Sequence, residues 1–346
     1  MKTAAAILVK TAEPLELWDI EIPKLGPGQV LVEVIFSGAC RTQVMEAMGM
    51  KGEDKWLPHC LGHEGVGSVV ETGPDVSRVR PGDRVVMSWL KAGGYEAGGA
   101  KYTHKGATVN AGAITTFQKM AVCSENRLSP LPKGVPADHA IMLGCALPTG
   151  YGCVVNTGRA KAGESVAVFG AGGIGQSAIM TSVAMGLTPV IAIDLSEEKL
   201  VMAKAFGAHM SINPAKEDVM TALKSATGGR GVDLAVEATG QPGVMRMALD
   251  CVRAQGGRAV IAGNAKAGEE LTISPGLLNQ GKSLLGTWGG DSVPDRDFPK
   301  IASLMVSGQI DVSPLLKSRY ALSDINSALA DLREGRVGRP VIDMSL

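Results

Sequence analysis

The residue types in this chain best suited to chemistry are histidine and cysteine, and several of them lie in its first 145 positions. His63 and Glu64 stand together between Gly62 and Gly65, just before an apolar run. An imidazole beside a carboxylate can bind a metal ion, although an isolated His-Glu pair is more often a solvated turn. The other soft or borderline metal ligands of this region are Cys40, His59, Cys60, His104, Cys123, His139 and Cys145.

A catalytic zinc site needs three protein ligands and one open coordination position. Cys40 follows a predicted strand, and Cys145 stands where the β-rich pattern ends. A set drawn from Cys40, His63 and Cys145 would place a metal in the cleft between two domains, where a nicotinamide ring would lie. His59 and Cys60 fit a ligand role less well, because adjacent residues on a strand point to opposite faces.

A second candidate site is a glycine-rich turn between a predicted strand at 166–169 and a predicted helix at 176–185. This context is the one that a dinucleotide-binding turn requires. Gly170 allows the tight turn, Gly172 lets a pyrophosphate approach the backbone, and Gly175 lets helix and strand pack closely. Free amides at the helix N-terminus favour phosphate groups. The whole turn comprises Gly170, Ala171, Gly172, Gly173, Ile174 and Gly175.

The residue that selects the nucleotide is predicted to be Asp194, which ends the strand after the glycine turn. A carboxylate there can accept hydrogen bonds from both ribose hydroxyls, and it would repel a 2′-phosphate. The sequence therefore predicts NAD rather than NADP. Lys199, one helical turn further on, either helps to hold the same ribose or points into solvent.

Two patterns divide the chain into a β-rich part and an α/β part. Before residue 146, short strands broken by Gly and Pro predict an irregular, largely antiparallel β region, with a surface loop at 91–105. From about residue 163, apolar strands alternate with helical stretches, which predicts a parallel sheet covered by helices on both faces. We therefore predict an α/β fold. Its β-rich catalytic domain spans residues 1–146 and 289–346, and its doubly wound nucleotide domain spans residues 147–288.

The composition of the 346 residues excludes several classes of protein. Hydrophobic residues make up 45% and charged residues 20%, as expected for a soluble enzyme of two domains. Basic and acidic residues number 34 each with no run of like charge, which argues against nucleic acid or an anionic membrane as partner. No apolar run of about 20 residues and no secretory signal is evident, so we expect a cytoplasmic protein.

The remaining thiols and imidazoles are predicted to be structural. Six scattered cysteines in a chain of this size favour reduced thiols over a disulfide framework. Those in apolar surroundings are predicted to lie in the core, namely Cys123, Cys153 and Cys251. The histidines predicted to lie at the surface are His104, His139 and His209.

Taken together, these pieces resemble the zinc-dependent medium-chain alcohol dehydrogenases over essentially the full length of the chain. The branch they resemble most contains glutathione-dependent formaldehyde dehydrogenases and benzyl alcohol dehydrogenases. The resemblance implies a GroES-like catalytic domain and a Rossmann NAD-binding domain. It rests on Cys40-Arg41-Thr42, Gly62-His63-Glu64, Gly144-Cys145, Thr149-Gly150-Tyr151-Gly152, the turn at 170–175, Asp194 and Arg339.

The family resemblance also implies roles for individual residues. Cys40, His63 and Cys145 would bind one catalytic zinc ion. Thr42 would hydrogen-bond the substrate oxygen and begin the proton path, while Glu64 would lie behind the metal as an occasional ligand. The alcohol, ionised at zinc, would pass a hydride reversibly to NAD and give an aldehyde or ketone. The further cofactor contacts implied are Arg41 and Arg339 at the pyrophosphate and Thr149, Thr239, Gly263, Asn264 and Trp288 at the nicotinamide half.

The chain departs from the family pattern at three places. Many relatives hold a second, structural zinc with four clustered cysteines, but residues 88–122 contain no cysteine, so we predict no structural zinc. Gln43 replaces the aspartate that usually supports the zinc-binding histidine, and an amide brings no charge to that task. Met45 replaces a histidine that relays protons in some relatives, so water or a ribose hydroxyl is expected to complete the relay.

Rival interpretations differ in substrate and in turnover. A polyol or amino-alcohol dehydrogenase would use the same apparatus. A zinc-free quinone or enoyl reductase is disfavoured because all three ligand positions are filled. A cofactor-binding protein without turnover would keep the nucleotide turn. The expected partner is a small-molecule alcohol or aldehyde substrate, and the sheet edge at Ser283–Trp288 predicts a homo-oligomer, either a dimer or a tetramer.

Overall fold

Two groups of strands account for the fold, and each follows from a different sequence pattern. A computed structural model describes residues 1–346 and divides them into two units. The first unit contains residues 1–145, 293–302 and 312–346, and the second contains residues 146–292 and 303–311. The expected boundaries at 146 and 289 differ from this division mainly at 303–311, because those residues pack with the second unit.

The strands of the chain are short except for β3 and β5. Those up to residue 145 are β1 (Lys2–Leu8), β2 (Glu16–Glu21), β3 (Gln29–Gly38), β4 (His59–Cys60), β5 (Glu64–Thr72), β6 (Arg84–Ser88), β7 (Lys101–His104), β8 (Ala107–Asn110), β9 (Met120–Ser124) and β10 (Leu128–Pro130). The later strands are β11 (Val166–Phe169), β12 (Val190–Ile193), β13 (Met210–Ile212), β14 (Leu234–Glu237), β15 (Arg258–Ile261), β16 (Ser283–Gly286), β17 (Arg319–Tyr320) and β18 (Val341–Asp343).

Most of the longer helices belong to the second half of the chain. The α-helices are α1 (Arg41–Ala47), α2 (Ala137–Ala140), α3 (Ala146–Gly152), α4 (Gly173–Ala184), α5 (Glu197–Ala205), α6 (Val219–Ala226), α7 (Pro242–Cys251), α8 (Pro275–Asn279), α9 (Pro294–Val306) and α10 (Ile325–Arg333). A π-helical turn, Cys153–Thr157, follows α3 directly.

The first unit contains a barrel and a sheet. Strands β1, β2, β7, β8 and β4 close the barrel, while β10, β6, β5, β3, β18 and β17 form the sheet in that order, with β9 beside β3. Val30, Val32 and Val34 alternate along β3 and enter one apolar core of the unit, while Leu31 between them enters a second apolar cluster. The register of β3 against β5 shifts twice, as at a β-bulge, and such irregularities bend the strand.

The prediction of a loop over residues 91–105 is wrong at its end, where Lys101–His104 forms β7. Strand β7 pairs with β8 across Lys105 and Gly106, whose φ angles of 49° and 84° are both positive. Positive φ at both central residues is the conformation of a tight hairpin turn that suits the twist of the strands. Tyr102 and Val109 of this hairpin are fully buried, so it contributes to the core.

Polar contacts hold the cysteine-free segment at residues 88–122. The carboxylate of Glu125 is fully buried and accepts hydrogen bonds from the backbone N–H groups of Ser77, Arg78 and Tyr95, each 2.6 Å long. Asp295 accepts a bond from the N–H of Gly93 at 2.7 Å and pairs with Arg78 at 2.5 Å. Because carboxylates accept several bonds at once, these two can organise the turn at 93–95.

The second unit is built on a parallel sheet of six strands. Its order is β13, β12, β11, β14, β15 and β16, the arrangement of a doubly wound nucleotide-binding domain. Strands β11, β12 and β14 are buried on both faces, which explains why each reads as a continuous apolar run. The predicted strands and the helix after the glycine turn are confirmed to within a few residues.

No single helix is long and apolar enough to cross a membrane. One bent pair of short helical segments, at residues 137–144 and 146–157, would pass together by length and composition only.

Candidate active site

Cys40 is held at the point where the chain leaves β3 and enters α1. Its backbone is extended, with φ of −113° and ψ of 154°, as is usual for the residue that caps a helix. Its N–H donates a hydrogen bond of 2.8 Å to Oε1 of Gln43, one turn into the helix. The thiol is only 7% exposed, so the cap fixes a buried sulfur.

Two glycines let the other candidate ligands approach Cys40. Gly62 precedes His63 with a φ of +90°, and a Cβ on it would lie 2.4 Å from Oγ1 of Thr116. Gly144 precedes Cys145, and a Cβ on it would lie 2.6 Å from the Cβ of Glu64. A larger residue at either position would displace the ligand that follows it.

The three predicted ligands meet in the first unit. Their ligand atoms all lie within 4.8 Å of one another. Nε2 of His63 is 3.3 Å from Sγ of Cys145, and the two sulfurs of Cys145 and Cys40 are 4.0 Å apart. Around a tetrahedral zinc, two sulfurs would lie about 3.8 Å apart and a sulfur and a nitrogen about 3.5 Å apart. The spacing of the three ligand atoms is therefore close to the spacing around a zinc ion.

The charges around the thiols favour a thiolate at Cys40. A hydrogen bond from Cys145 lowers the pKa of Cys40 well below its usual value, and nearby Arg339 and His63 lower it further. The same hydrogen bond, together with burial, raises the pKa of Cys145. The two sulfurs thus share one proton, which a cation displaces because metals bind thiolates.

Glu64 and Arg339 form a buried ion pair beside these sulfurs. The carboxylate is fully buried, the arginine is 3% exposed, and the closest N and O atoms are 3.2 Å apart. Burial raises the pKa of Glu64 to about 7, although Arg339 acts in the opposite direction. Neither carboxylate oxygen accepts a well-oriented hydrogen bond. A buried carboxylate that lacks well-oriented hydrogen bonds and lies next to the cluster is consistent with the prediction that Glu64 is an occasional ligand of the metal.

The predicted partners of the ligands are close to them. The amide of Gln43 is hydrogen-bonded to Nδ1 of His63, as expected for a residue that orients a metal-binding histidine. Thr42 is half-buried, and its hydroxyl oxygen is 3.8 Å from Sγ of Cys40. Met45 is buried and carries no proton to relay.

A cavity of about 590 Å³ in the first unit reaches His63 and Gln43. Its walls include Trp56 and a pair formed by Asp54 and His59, whose Oδ2 and Nε2 atoms are 2.8 Å apart. This volume is in the range of sites that hold small molecules. Trp56 therefore lies where its side chain can limit the size and shape of a molecule bound in the cavity.

The glycine turn of the second unit has the geometry that a dinucleotide needs. Gly170 has a φ of +88°, which an L side chain rarely adopts. A Cβ on Gly175 would lie 1.8 Å from the carbonyl oxygen of Gly170, so helix and turn can pack only with glycine there. A Cβ on Gly172 would meet no atom within 4 Å, which leaves open space for a phosphate. Gly173 and Ile174, both half-buried, begin α4.

Asp194 lies directly after β12 and is tied to the glycine turn. Its Oδ2 accepts a hydrogen bond of 2.7 Å from the N–H of Ala171, and its Oδ1 accepts one of 2.9 Å from the N–H of Ser196. The carboxylate is half-buried, and Lys199 is half-buried on α5. The position predicted to bind the ribose thus has a carboxylate fixed by two backbone groups.

Comparison with known proteins decides the family. Residues 26–133 match the model of the alcohol dehydrogenase GroES-like domain, and residues 173–307 match that of zinc-binding dehydrogenases. The chain belongs to the zinc-binding alcohol dehydrogenase family. It is 31% identical to an S-(hydroxymethyl)glutathione dehydrogenase of Synechocystis sp., over 99% of this chain and 100% of that one.

Solved structures of this family share the fold over nearly the whole chain. An alcohol dehydrogenase zinc-binding domain protein from Burkholderia ambifaria has a TM-score of 0.92 at 30% identity, covering 99% of both chains. The benzyl alcohol dehydrogenase of Acinetobacter calcoaceticus has a TM-score of 0.89 at 28% identity, also covering 99% of both chains. The prediction of a GroES-like domain joined to a Rossmann domain is confirmed.

Several residues of this alcohol dehydrogenase that were assigned to the cofactor lie on the second unit. Thr149 is buried on α3, while Thr239 follows β14 and donates hydrogen bonds to Oε1 of Glu237. Gly263 and Asn264 follow β15, and Gly263 donates its N–H to the carbonyl oxygen of Glu237. Trp288 is 78% exposed. Their assignment to the nicotinamide half stays a prediction.

The two arginines assigned to the pyrophosphate differ in environment. Arg41 is exposed at the start of α1, as a phosphate contact would be. Arg339 instead turns one guanidinium edge toward Glu64 and donates to the carbonyl oxygen of Ala39 at 3.3 Å. No sequence signal predicted this pairing. A pyrophosphate role for either arginine stays a prediction.

The thiols and imidazoles outside the ligand cluster take no part in that cluster. His59 binds Asp54 and the carbonyl oxygen of Cys60. Neither His59 nor Cys60 belongs to the metal cluster. Burial raises the pKa of four thiols to about 12, which keeps them protonated and inert; these are Cys60, Cys123, Cys153 and Cys251. Of the histidines predicted to lie at the surface, His209 is exposed, and His104 and His139 are half-buried.

Proposed function

We propose that the protein is a zinc- and NAD-dependent dehydrogenase that converts a small alcohol reversibly to an aldehyde or ketone. The observation that carries the proposal is the cluster of Cys40, His63 and Cys145, whose ligand atoms lie within 4.8 Å of one another. Three protein ligands leave one coordination position for substrate. The relatives that share this architecture are named as alcohol-oxidising enzymes.

The zinc ion, when bound, supplies Lewis-acid chemistry that makes a hydroxyl group more acidic. The thiolates of Cys40 and Cys145 balance the charge of the dication, so an uncharged product can leave readily. The hydroxyl of Thr42 accepts the substrate proton and passes it toward solvent. Buried Met45 cannot continue this path, so water or a ribose hydroxyl completes it.

The second unit binds the hydride acceptor through backbone and side-chain groups. Open space above Gly172 admits the pyrophosphate, and the N-terminus of α4 offers its free amides to it. Asp194 accepts the ribose hydroxyls and repels a 2′-phosphate, which favours NAD over NADP. Loops after β14 and β15 carry Thr239, Gly263 and Asn264 toward the nicotinamide half.

The decisive experiment measures zinc and NADH together. The purified enzyme should hold one zinc per chain and form NADH from NAD on a panel of primary, secondary, benzylic and polyhydric alcohols. The Cys145→Ala variant should lose both the zinc and the activity, whereas Cys123→Ala, also a buried thiol, should keep them. A preparation without zinc and without NAD reduction on any alcohol would overturn the proposal.

We also propose that the protein is a homo-oligomer. Strand β16 is the last strand of the parallel sheet, and one side of it has no strand neighbour within the chain. Such an edge can pair with the same strand of a second copy. Light scattering should give a mass that is two or four times 35.8 kDa. A monomer at micromolar concentration would contradict this proposal.

A further inference from the structure

Gln43 joins two of the candidate ligands through the two ends of its side-chain amide. The residue is 1% exposed and lies in the first turn of α1. Its Oε1 accepts the N–H of Cys40 at 2.8 Å, and its Nε2 faces Nδ1 of His63 at hydrogen-bond distance. Cys40 and His63 thus share Gln43 as a hydrogen-bond partner.

This arrangement selects one tautomer of His63. An amide nitrogen only donates, so Nδ1 of His63 must accept, and the ring proton must sit on Nε2. Nε2 is also the atom that faces Cys145, with 3.3 Å between it and Sγ. A ring nitrogen that carries a proton has no lone pair for a metal, so this tautomer cannot bind zinc through Nε2.

Rotation of the amide does not remove the conflict. When Nε2 of His63 binds a metal, Nδ1 carries the proton and becomes a donor. The N–H of Cys40 is a donor in every state. Gln43 then lies between two donors but offers an oxygen at only one end, so either His63 or Cys40 faces the NH₂ group. A carboxylate of the same length offers an oxygen at both ends.

We propose that Gln43 is a positioning residue that weakens zinc binding by favouring the tautomer of His63 whose Nε2 carries the proton. This inference rests on the proposed zinc site. Zinc must displace that proton and also disrupt one buried hydrogen bond of the amide. The Gln43→Glu substitution keeps the acceptor for Cys40 and gives His63 a matched one, so the metal-binding tautomer becomes the resting state.

The test compares zinc affinity in wild type and Gln43→Glu by competition with a chromophoric chelator at neutral pH. Partners of metal ligands typically change affinity ten- to a hundred-fold, and we expect the variant to bind about ten-fold or more tightly. Met48→Glu is the control, because it adds the same charge to the region of α1 without reaching His63. It should change the affinity less than about two-fold.

A second measurement reports on the tautomer itself. The chain has five histidines, so ¹⁵N-histidine labelling gives a simple spectrum in which a His63→Ala variant assigns His63. In the metal-free wild type, Nδ1 should show the shift of an unprotonated nitrogen and Nε2 that of a protonated one. In metal-free Gln43→Glu the two should exchange. A purely structural glutamine would leave this pattern unchanged.

The outcomes separate this inference from the proposed function. Equal zinc affinities in wild type and Gln43→Glu, or a wild-type Nδ1 that already carries the proton, would overturn the inference and leave the zinc site intact. Loss of zinc binding in both proteins would overturn the site and the inference together. Unfolding curves of the metal-free proteins show whether Gln43→Glu folds.

Discussion

Glu64 and Arg339 form an ion pair of 3.2 Å in which neither side chain is more than 4% exposed. The glutamate begins β5, and the arginine comes just before β18, so the pair links two strands on opposite sides of β3. Space for it depends on Gly38, where a Cβ would lie 2.7 Å from the carboxylate. The same arginine lowers the pKa of Cys40.

Removing one partner of this ion pair should lower the free energy of unfolding much more than removing both. Arg339→Met leaves a buried carboxylate without a countercharge, and we expect the free energy of unfolding to fall by about 3–5 kcal/mol. The double variant Glu64→Gln/Arg339→Met should recover much of that loss. Arg246→Met, which breaks the half-exposed pair with Asp250, should lose less than about 1 kcal/mol. Urea unfolding of metal-free proteins measures all three, and equal losses in the single and double variants would contradict the interpretation.

Two histidines of the same cavity should behave differently toward zinc. His63→Ala removes a ligand, so its zinc content should fall from one per chain to well below that, and alcohol oxidation should fall at least about a hundred-fold. His59→Ala removes no metal ligand, but it does remove the partner of Asp54 and of the carbonyl oxygen of Cys60. It should keep its zinc and change mainly the KM for alcohol. Elemental analysis and steady-state kinetics test both variants, and zinc loss in His59→Ala would contradict this assignment.

Asp194 should govern the choice between NAD and NADP. Asp194→Gly removes a charged acceptor worth about 1.5–3 kcal/mol, so kcat/KM for NAD should fall about ten- to a hundred-fold while the relative rate with NADP rises. Ser196→Ala, which alters only the cap of α5, should leave the ratio of the two cofactors unchanged. An unchanged NAD to NADP ratio in Asp194→Gly would show that another residue selects the nucleotide.

Glu237 should act on cofactor binding without touching the metal. Its Oε1 accepts the N–H groups of Thr239 at 2.7 Å and Gly240 at 3.0 Å, which orders the loop after β14. Glu237→Gln weakens these bonds, so the KM for NAD should rise about ten-fold with zinc content unchanged. Asp233→Asn, at the other end of the same strand, should lower stability but leave this KM unaltered. Equal effects on KM would contradict a role specific to Glu237.

Glu125 should make stability depend on acid pH. Burial alone would raise its pKa, but the N–H groups of Tyr95, Arg78 and Ser77 outweigh burial and lower the pKa below the usual 4.5. A lowered folded pKa means that the stabilisation is complete above about 4.5 and is lost as pH falls through the folded value. Glu125→Gln should therefore cost about 1–3 kcal/mol at pH 7, with a smaller difference below pH 4. Urea curves at pH 7 and 3.5 test this, and a constant difference would contradict it.

The sequence predicted the second unit better than the first for a physical reason. Strands β11, β12 and β14 are buried on both faces, so each is an apolar run that a local pattern detects. The glycine turn is also local, and the reason for each glycine can be stated from its neighbours. Hairpin β7–β8 was missed because its turn residues, Lys105 and Gly106, stand among polar and small residues that are equally typical of a loop.

The metal cluster could not be predicted from local sequence patterns alone. The residue types and strand-end positions of Cys40, His63 and Cys145 singled them out among eight candidates, and the family resemblance assigned them to one zinc ion. Their convergence depends on strand pairing over long separations. The partnership of Arg339 with Glu64 depends on it too, which is why the arginine was assigned to a phosphate alone.

The pairing of β18 with β3 also limits the order in which the two units can fold during translation. Cys40, His63 and Cys145 leave the ribosome well before residues 339–343, and the entire parallel sheet is translated in between. Until those last residues emerge, β3 presents an open edge over positions 36–38 and Glu64 has no countercharge. The second unit can therefore fold first, and until β18 is translated the free thiols and the open edge of β3 are accessible to oxidants and to other nascent chains.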